Sequence, residues 1–370
     1  MERLKVLYVI TSLGVGGAER QVMDIARHMT LSHEVCICFL TGDQALSADG
    51  LSIRVVGLGM RKGVRGFING YSKLRSLVCE FKPDVVHSHM VHANILSRLL
   101  RLAVRFPVLV CSAHNTYEGG WLRMLAYRLT NGLADLTTNV SHEAVEAFEV
   151  KGAVRKGEMR VVPNGIDTDL FRPDPEARIQ IRQANSIADS DTVILAVGRL
   201  VEAKDYPTLL RAYAQLKNDG ATARLWVVGE GSEQHSLEKL TNMLGLHDDV
   251  LFMGVRHDVA SLYNAADIYV LSSAWEGFGL VVAEAMATER VVVATDCGGI
   301  KEVVGSNGFL VQPGSPILLA QVIHKALELS DADKADLGAR ARARIKERFS
   351  LSSTVLMWQG IYATLLGRRL

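Results

Sequence analysis

The chain has 370 residues, 48% hydrophobic and 22% charged, with eight prolines. That composition excludes intrinsic disorder and fibrous repeats, and at ~100–200 residues per domain it predicts two folded domains. The 41 basic and 40 acidic residues leave a net charge of +1, so bulk attraction to nucleic acid is not expected.

Five cysteines, Cys36, Cys38, Cys79, Cys111 and Cys297, form an odd set without a CxxC pair. Neither a disulfide framework nor a zinc knuckle is written there, and a reducing cytosol fits. Cys36 and Cys38, two apart in an apolar run, read as core packing on one face of a strand. The first apolar run, Val6 to Ile10, is too short for a signal peptide. No stretch reaches the ~18 apolar residues of a membrane span, so a cytoplasmic protein, soluble or peripheral, is expected.

Strand-like runs alternate with amphipathic helical patterns, which predicts parallel sheets covered by helices on both faces. A first series runs through Val6 to Ile10, Val35 to Leu40, Ile53 to Leu58, Val85 to His87, Val108 to Ser112 and Leu136 to Asn139. Helical stretches such as Ala18 to Met29 and Gly70 to Phe81 separate them. The segment Val162 to Asn185, with Pro163, Gly165, Pro173 and Pro175, reads as a crossing linker. A second series follows: Val193 to Val197, Leu225 to Val228, Val250 to Met253, Ile268 to Leu271 and Val291 to Thr295. A basic helix (Arg340, Arg342, Arg344, Lys346, Arg348) then precedes a helical tail without a strand after it. The expected domains are residues 1–170, 171–350, and a tail, 351–370, that packs back on the first. Such doubly wound, Rossmann-like domains bind ligands beyond the carboxyl ends of their strands, so two that face each other would share a cleft.

The residues in those loops carry chemistry. After the first strand, Gly14, Val15, Gly16 and Gly17 precede a helix. Such a turn lets backbone N–H groups approach an anion, although the spacing also suits a tight turn needed only for packing, and Glu19 breaks the dinucleotide fingerprint. After Val193 to Val197, Arg199 and Lys204 are placed to meet a diphosphate or to pair with Glu202 in solvent. After Ile268 to Leu271 comes Ser272 to Glu284, where the amides of Phe278, Gly279 and Leu280 open a helix. Glu276 and Glu284 there can accept hydrogen bonds from sugar or ribose hydroxyls, and Glu276 can equally complement the helix dipole. His87 and His89 form an H-x-H that lacks the further ligands of a metal site.

Glu276 and Glu284 within S-x-x-E-G-F-G-L, GGAER at Gly16 to Arg20, PNGID at Pro163 to Asp167, GRL-x-x-x-K at Gly198 to Lys204 and GG-x-x-E at Gly298 to Glu302 resemble, in order and over nearly the whole chain, the retaining glycosyltransferases of family 4. The resemblance implies a GT-B fold, two Rossmann-like α/β domains facing across a cleft, and transfer of a hexose or N-acetylhexosamine from a nucleotide sugar, uridine diphosphate sugars being the expected class. It implies that Glu284 holds the ribose, Arg199 and Lys204 the diphosphate, and the Gly16 and Gly17 amides the same phosphates. Glu276 with the Phe278, Gly279 and Leu280 amides would hold the transferred sugar and its phosphate, and His114 would stand near sugar and acceptor. No metal or other cofactor is implied. One departure stands out: Asp205 occupies a position that is often glycine. A sugar-nucleotide 2-epimerase and a non-catalytic sugar-nucleotide sensor are the alternatives that the same motifs allow.

Between Arg54 and Arg128 lie twelve basic and three acidic residues. With Phe67, Ile68, Trp121, Leu122 and Leu125 they favour an anionic membrane surface and a lipid-diphosphate-linked saccharide acceptor, at the inner face of a bacterial-type cytoplasmic membrane. Ordinary solvated helix faces would give the same pattern.

Overall fold

A computed structural model describes residues 3–14, 16–42, 53–61 and 63–367; Val15 and Lys62 lie outside the described residues. The chain divides into two compact units, one holding residues up to Gly165 together with those from Leu351 onward, the other Ile166–Ser350.

In chain order the first unit comprises β1 (Lys5–Ile10), α1 (Gly17–Met29), β2 (Glu34–Phe39), β3 (Ile53–Gly57), α2 (Val64–Phe81), β4 (Val85–His89), α3 (Val91–Leu100), β5 (Val108–Ser112), α4 (Trp121–Thr130), β6 (Leu136–Asn139), α5 (His142–Val150) and β7 (Met159–Val161). All seven strands are parallel, in the order β3-β2-β1-β4-β5-β6-β7. The strands are near-continuous apolar runs because helices cover both faces. Val6, Tyr8 and Ile10 of β1 pack with α1, whereas Leu7 and Val9 pack with α2 and α3, the period-two alternation of a strand. Cys36 and Cys38 lie in the second of these clusters, and burial pushes both thiols up, Cys36 to about 11.

The second unit comprises α6 (Pro175–Ala184), β8 (Val193–Val197), α7 (Tyr206–Asn218), β9 (Arg224–Val228), α8 (Gln234–Met243), β10 (Val250–Phe252), α9 (Val259–Ala265), β11 (Ile268–Leu271), α10 (Leu280–Ala287), β12 (Val291–Thr295), α11 (Ile300–Val304), β13 (Phe309–Val311), α12 (Pro316–Leu327) and α13 (Asp331–Arg348). Its six parallel strands run β10-β9-β8-β11-β12-β13. The N–H of Ile166 donates to Phe349 O at 2.8 Å, so this unit's two chain ends lie side by side. The chain then returns to the first unit as α14 (Leu351–Leu365), whose Val355, Trp358, Ile361 and Tyr362 join the α1 face of the seven-stranded sheet.

Several elements differ from the sequence expectation. Part of the supposed linker is α6: Pro175 stands in its first turn, where a missing N–H costs nothing, and Asp174 caps it by accepting from Ala177 N. Arg182 anchors this helix from the inside, fully buried and donating to the carbonyls of Ala188, Asp191 and Ala265. Helix α2 starts at Val64, six residues earlier than expected, because Val64, Phe67 and Ile68 are exposed and break the amphipathic pattern. In the basic helix α13, Arg342 and Arg344 donate to backbone carbonyls, among them Phe171, Thr168, Val303 and Glu302.

Both sheets reverse direction at one point. In the first the chain proceeds outward on either side of the β1–β4 pair, and in the second on either side of β8–β11. Loops leaving the carboxyl ends of such a pair diverge, which leaves a crevice between them.

Candidate functional site

In the second unit β8 and β11 pair in parallel, Ile194 opposite Ile268 and Leu195 opposite Tyr269. That pairing brings the two motif-bearing loops together. The loop after β8 turns at Gly198, exposes Arg199, buries Leu200 and closes in a short 3₁₀ turn, Glu202–Lys204. The Lys204 stem lies against Gly198, where an added Cβ would stand 3.1 Å from Lys204 Cε. Its ammonium meets Glu276 Oε1 at 2.5 Å, and the two side chains are only 17% and 13% exposed. Ser273 Oγ donates to the same carboxylate oxygen at 2.8 Å, and Ser272 Oγ donates to Lys204 O at 2.8 Å.

The loop after β12 supports the pair from behind. Gly298 holds φ +57, and a Cβ there would stand 2.0 Å from Glu276 O, so only glycine lets the loops approach so closely. This accounts for the first glycine of GG-x-x-E.

Helix α10 begins directly beyond Glu276. Gly279 is its N-cap at φ +87, with no side chain to cap the first-turn amides. Phe278 is buried against Phe349, ring centroids 5.5 Å apart, and Leu280 opens the helix. The uncapped N-terminus carries the partial positive charge of the helix dipole, next to a lysine and a glutamate already in contact. Glu284, one turn inside the helix, is 4% exposed and accepts from Tyr263 Oη at 3.0 Å. Asp205 has the left-handed φ of +44, which explains the glycine often found there. Its carboxylate turns to cap α7 by accepting from Thr208 N.

In the first unit, Gly16 is the N-cap of α1 and Gly17 its first residue. A Cβ on Gly16 would stand 2.4 Å from Glu19 Oε2, and Ser12 Oγ holds Glu19 Oε1 at 2.9 Å. The glycine turn therefore sits under a carboxylate of its own helix.

His114 lies two residues beyond the end of β5. Its Nε2 contacts His89 Nδ1 at 2.9 Å, and its backbone N–H donates to Glu118 Oε1. His89 ends β4, and its ring lies 4.0 Å from that of His87. Burial lowers all three imidazoles, His114 to about 4 and His87 and His89 well below their ordinary value, so each is neutral at pH 7. Among the described residues no set of three His, Cys, Asp or Glu is arranged to hold a metal ion.

The sequence reading missed Tyr263 and Ser273, which orient the two glutamates, and the glycines of Val-Val-Gly-Glu-Gly at 227–231. A Cβ on Gly229 would stand 2.1 Å from Gly198 O, and one on Gly231 2.2 Å from Leu200 O, so the β9 loop props the arginine loop. Glycine at both ends of Glu230 was the available signal.

The model described as "Glycosyltransferase Family 4" matches residues 15–170, and that described as "Glycosyl transferases group 1" matches 177–344. The chain is 32% identical over 288 residues, 73% of each sequence, to the GDP-mannose-dependent alpha-(1-6)-phosphatidylinositol monomannoside mannosyltransferase of Mycobacterium tuberculosis. The chain belongs to the GT-B glycosyltransferases. The glycosyltransferase is also 29% identical to EpsD of Bacillus subtilis, covering 79% of this chain and 80% of that one. Its fold superposes on Anabaena HepE, solved in complex with UDP and glucose, with a TM-score of 0.87, 26% identity and coverage of 98% and 100%.

The twelve basic residues expected to form an anionic-surface patch are not one face. Arg98 is fully buried, stacked on Tyr127 and donating to Thr137 Oγ1. Arg54 pairs with Glu80 and Arg101 with Asp135. Arg61 and Arg65 remain exposed near Val64, Phe67 and Ile68, as do Arg123 and Arg128 beside Trp121, Leu122, Leu125 and Leu129. Among the described residues no helix is long and apolar enough to cross a membrane.

The buried histidines make stability depend on pH. Unfolding returns each to an ordinary value near 6.5, so below that pH the unfolded chain binds more protons than the folded one. Stability is then fully present above pH 6.5 and falls as the pH drops toward 4, by up to ~1.4 kcal/mol per pH unit for each histidine. Urea unfolding at pH 7.5 and 5.5 should show the loss, and replacing His87 by Gln should reduce its slope. Equal stabilities would contradict neutral burial.

Proposed function

We propose that the enzyme is a retaining hexosyltransferase, moving a hexose or N-acetylhexosamine from a uridine diphosphate sugar to a hydroxyl of a lipid-diphosphate-linked saccharide without a metal ion. The observation that carries this reading is the Lys204–Glu276 contact beside the uncapped N-terminus of α10, with the exposed Arg199 leaving the same loop as Lys204. Positive charge and amides gathered at one strand-end crevice suit a leaving diphosphate. Support for the nucleotide comes from the likeness to HepE, whose structure holds UDP and glucose.

The hard step is heterolysis of the anomeric C–O bond, which builds negative charge on the β-phosphate. Arg199, Lys204 and the Phe278, Gly279 and Leu280 amides meet that charge as it grows, which is how preorganised donors accelerate a reaction. The departing phosphate oxygen takes the proton of the acceptor hydroxyl as this attacks the same face, so configuration is retained. Glu276, held by Lys204 and Ser273, positions the sugar hydroxyls. Glu284 accepts from the ribose, His114 stands by the sugar, and the Gly16 and Gly17 amides go to phosphate once the Glu19 carboxylate moves aside.

Arg199→Ala and Lys204→Ala should each lower kcat by about 30- to 800-fold, the ~2–4 kcal/mol of one lost preorganised donor. Wild-type kcat in both would overturn the leaving-group assignment. By calorimetry, Glu284→Ala should weaken UDP binding and Glu276→Ala should spare it. Equal losses would collapse the division between ribose and sugar.

For the acceptor, the exposed apolar side chains of α2 and α4 with Arg61, Arg65, Arg123 and Arg128 support contact with anionic headgroups. The protein should float with anionic liposomes at low salt and release as salt rises, and binding should weaken when Arg61, Lys62 and Arg65 become Ser. No flotation at low salt would leave a soluble acceptor.

A further inference from the structure

Three unpaired polar atoms line one small pocket of the first unit. The pocket is lined by Gln21, His89, His114, Thr138, Asn164 and Trp358, among others. Within it Gln21 Nε2, His89 Nε2 and His114 Nδ1 are buried without a hydrogen-bond partner. Gln21 and His89 are 2% and 1% exposed. The orientation of the Gln21 amide is fixed, because its Oε1 accepts from Gly165 N at 2.9 Å. Buried polar atoms left unpaired are costly, so three of them on one pocket call for a partner there.

The ring that reaches His114 is itself clamped. His87 donates or accepts at both nitrogens, 2.7 Å to Tyr362 Oη and 2.7 Å to Ser112 Oγ, and lies between Trp358 at 4.4 Å and His89 at 4.0 Å. The strand bearing His89 ends abruptly: Met90 holds φ +71, a left-handed conformation that a non-glycine residue adopts only when its surroundings impose it. Its N–H donates to Ser112 O at 3.0 Å. Thus helix α14, through Trp358 and Tyr362, fixes His87, and His87 fixes the plane of His89.

We propose that His89 is the positioning residue of His114, holding its Nε2 so that the ring keeps one orientation and one tautomer with Nδ1 turned to the pocket. This rests on the reading of His114 as the histidine beside the sugar. The bond between two neutral rings carries a single proton, which constrains both. If His89 Nδ1–H donates, His114 is also protonated on Nδ1 and offers a donor to the pocket. If His114 Nε2–H donates, both rings are protonated on Nε2, and His114 Nδ1 is an acceptor. In either case the two histidines share the same tautomer.

Long-range ¹H–¹⁵N correlation spectra of the full-length wild-type enzyme read the tautomers directly, with each ring assigned by its loss in His89→Asn and His114→Gln. The same tautomer in both rings is expected, and opposite tautomers would overturn the bond. Donor turnover gives the second arm. An asparagine amide reaches the Nδ1 position and a glutamine amide the Nε2 position, so His89→Asn should keep kcat within about threefold, while His89→Gln and His89→Leu should lose at least about tenfold with unchanged UDP affinity. A leucine variant with wild-type kcat, or an asparagine variant as impaired as leucine at equal melting temperature, would contradict positioning. If His114→Ala retains full activity, the role of His114 beside the sugar fails instead, and the spectra still decide whether His89 holds it.

Discussion

The contact between Lys204 and Glu276 depends on β8 and β11 being neighbours, and three residues of positive φ, Gly198, Asp205 and Gly298, serve it. Two oppositely charged groups that are mostly withdrawn from water cost several kcal/mol each in desolvation, and they persist only where geometry and further hydrogen bonds offset that loss. Ser273 supplies one such bond to Glu276. Gly198 gives the Lys204 stem its path, and Gly298 lets the β12 loop close on the Glu276 backbone. Asp205, in a conformation that suits glycine, ends the lysine loop and starts α7. The pair is neutral as a whole and already fixed in place, so in the proposed reaction a diphosphate would meet an oriented ammonium and uncapped amides without first ordering them.

The first unit solves a comparable problem without net charge. At its own reversal point, β1 against β4, the groups are imidazoles, hydroxyls and an amide rather than a lysine and a glutamate. Burial keeps the histidines neutral, and hydrogen bonds and ring contacts fix them in a row from Tyr362 to His114. A neutral, rigid set of that kind suits sugar hydroxyls, which can donate and accept, as the charged set of the second unit suits phosphate. α14 takes part in that rigidity although it comes last in the sequence.

The sheets were legible because buried parallel strands are continuous apolar runs, and Val193 to Val197 or Ile268 to Leu271 admit few other readings. The motif loops were legible for a related reason, since their glycines and charged residues stand directly after those strands. What escaped depended on three-dimensional partners. Pro175 looks like a breaker until Asp174 is seen to cap a helix around it. Arg98 counts as surface charge in the sequence, yet Tyr127, Asn131 and Thr137 hold its guanidinium inside the fold. His87 and His89 read as an H-x-H without the further ligands of a metal site, and only the register that sets His89 beside Ser112 shows that its neighbour is another histidine. Short edge strands such as β7 and β13, three residues each, carry too little pattern to be seen.

The central claim is that the leaving diphosphate is stabilised in place and itself directs the acceptor to the face it vacates. The anomeric configuration of the product decides this most directly. With an α-linked uridine diphosphate sugar as donor, and either an accepting saccharide or water as acceptor, NMR of the first product formed should show the α-anomer. A β-anomer as first product would contradict same-face attack and the roles assigned here to Arg199, Lys204 and Glu276.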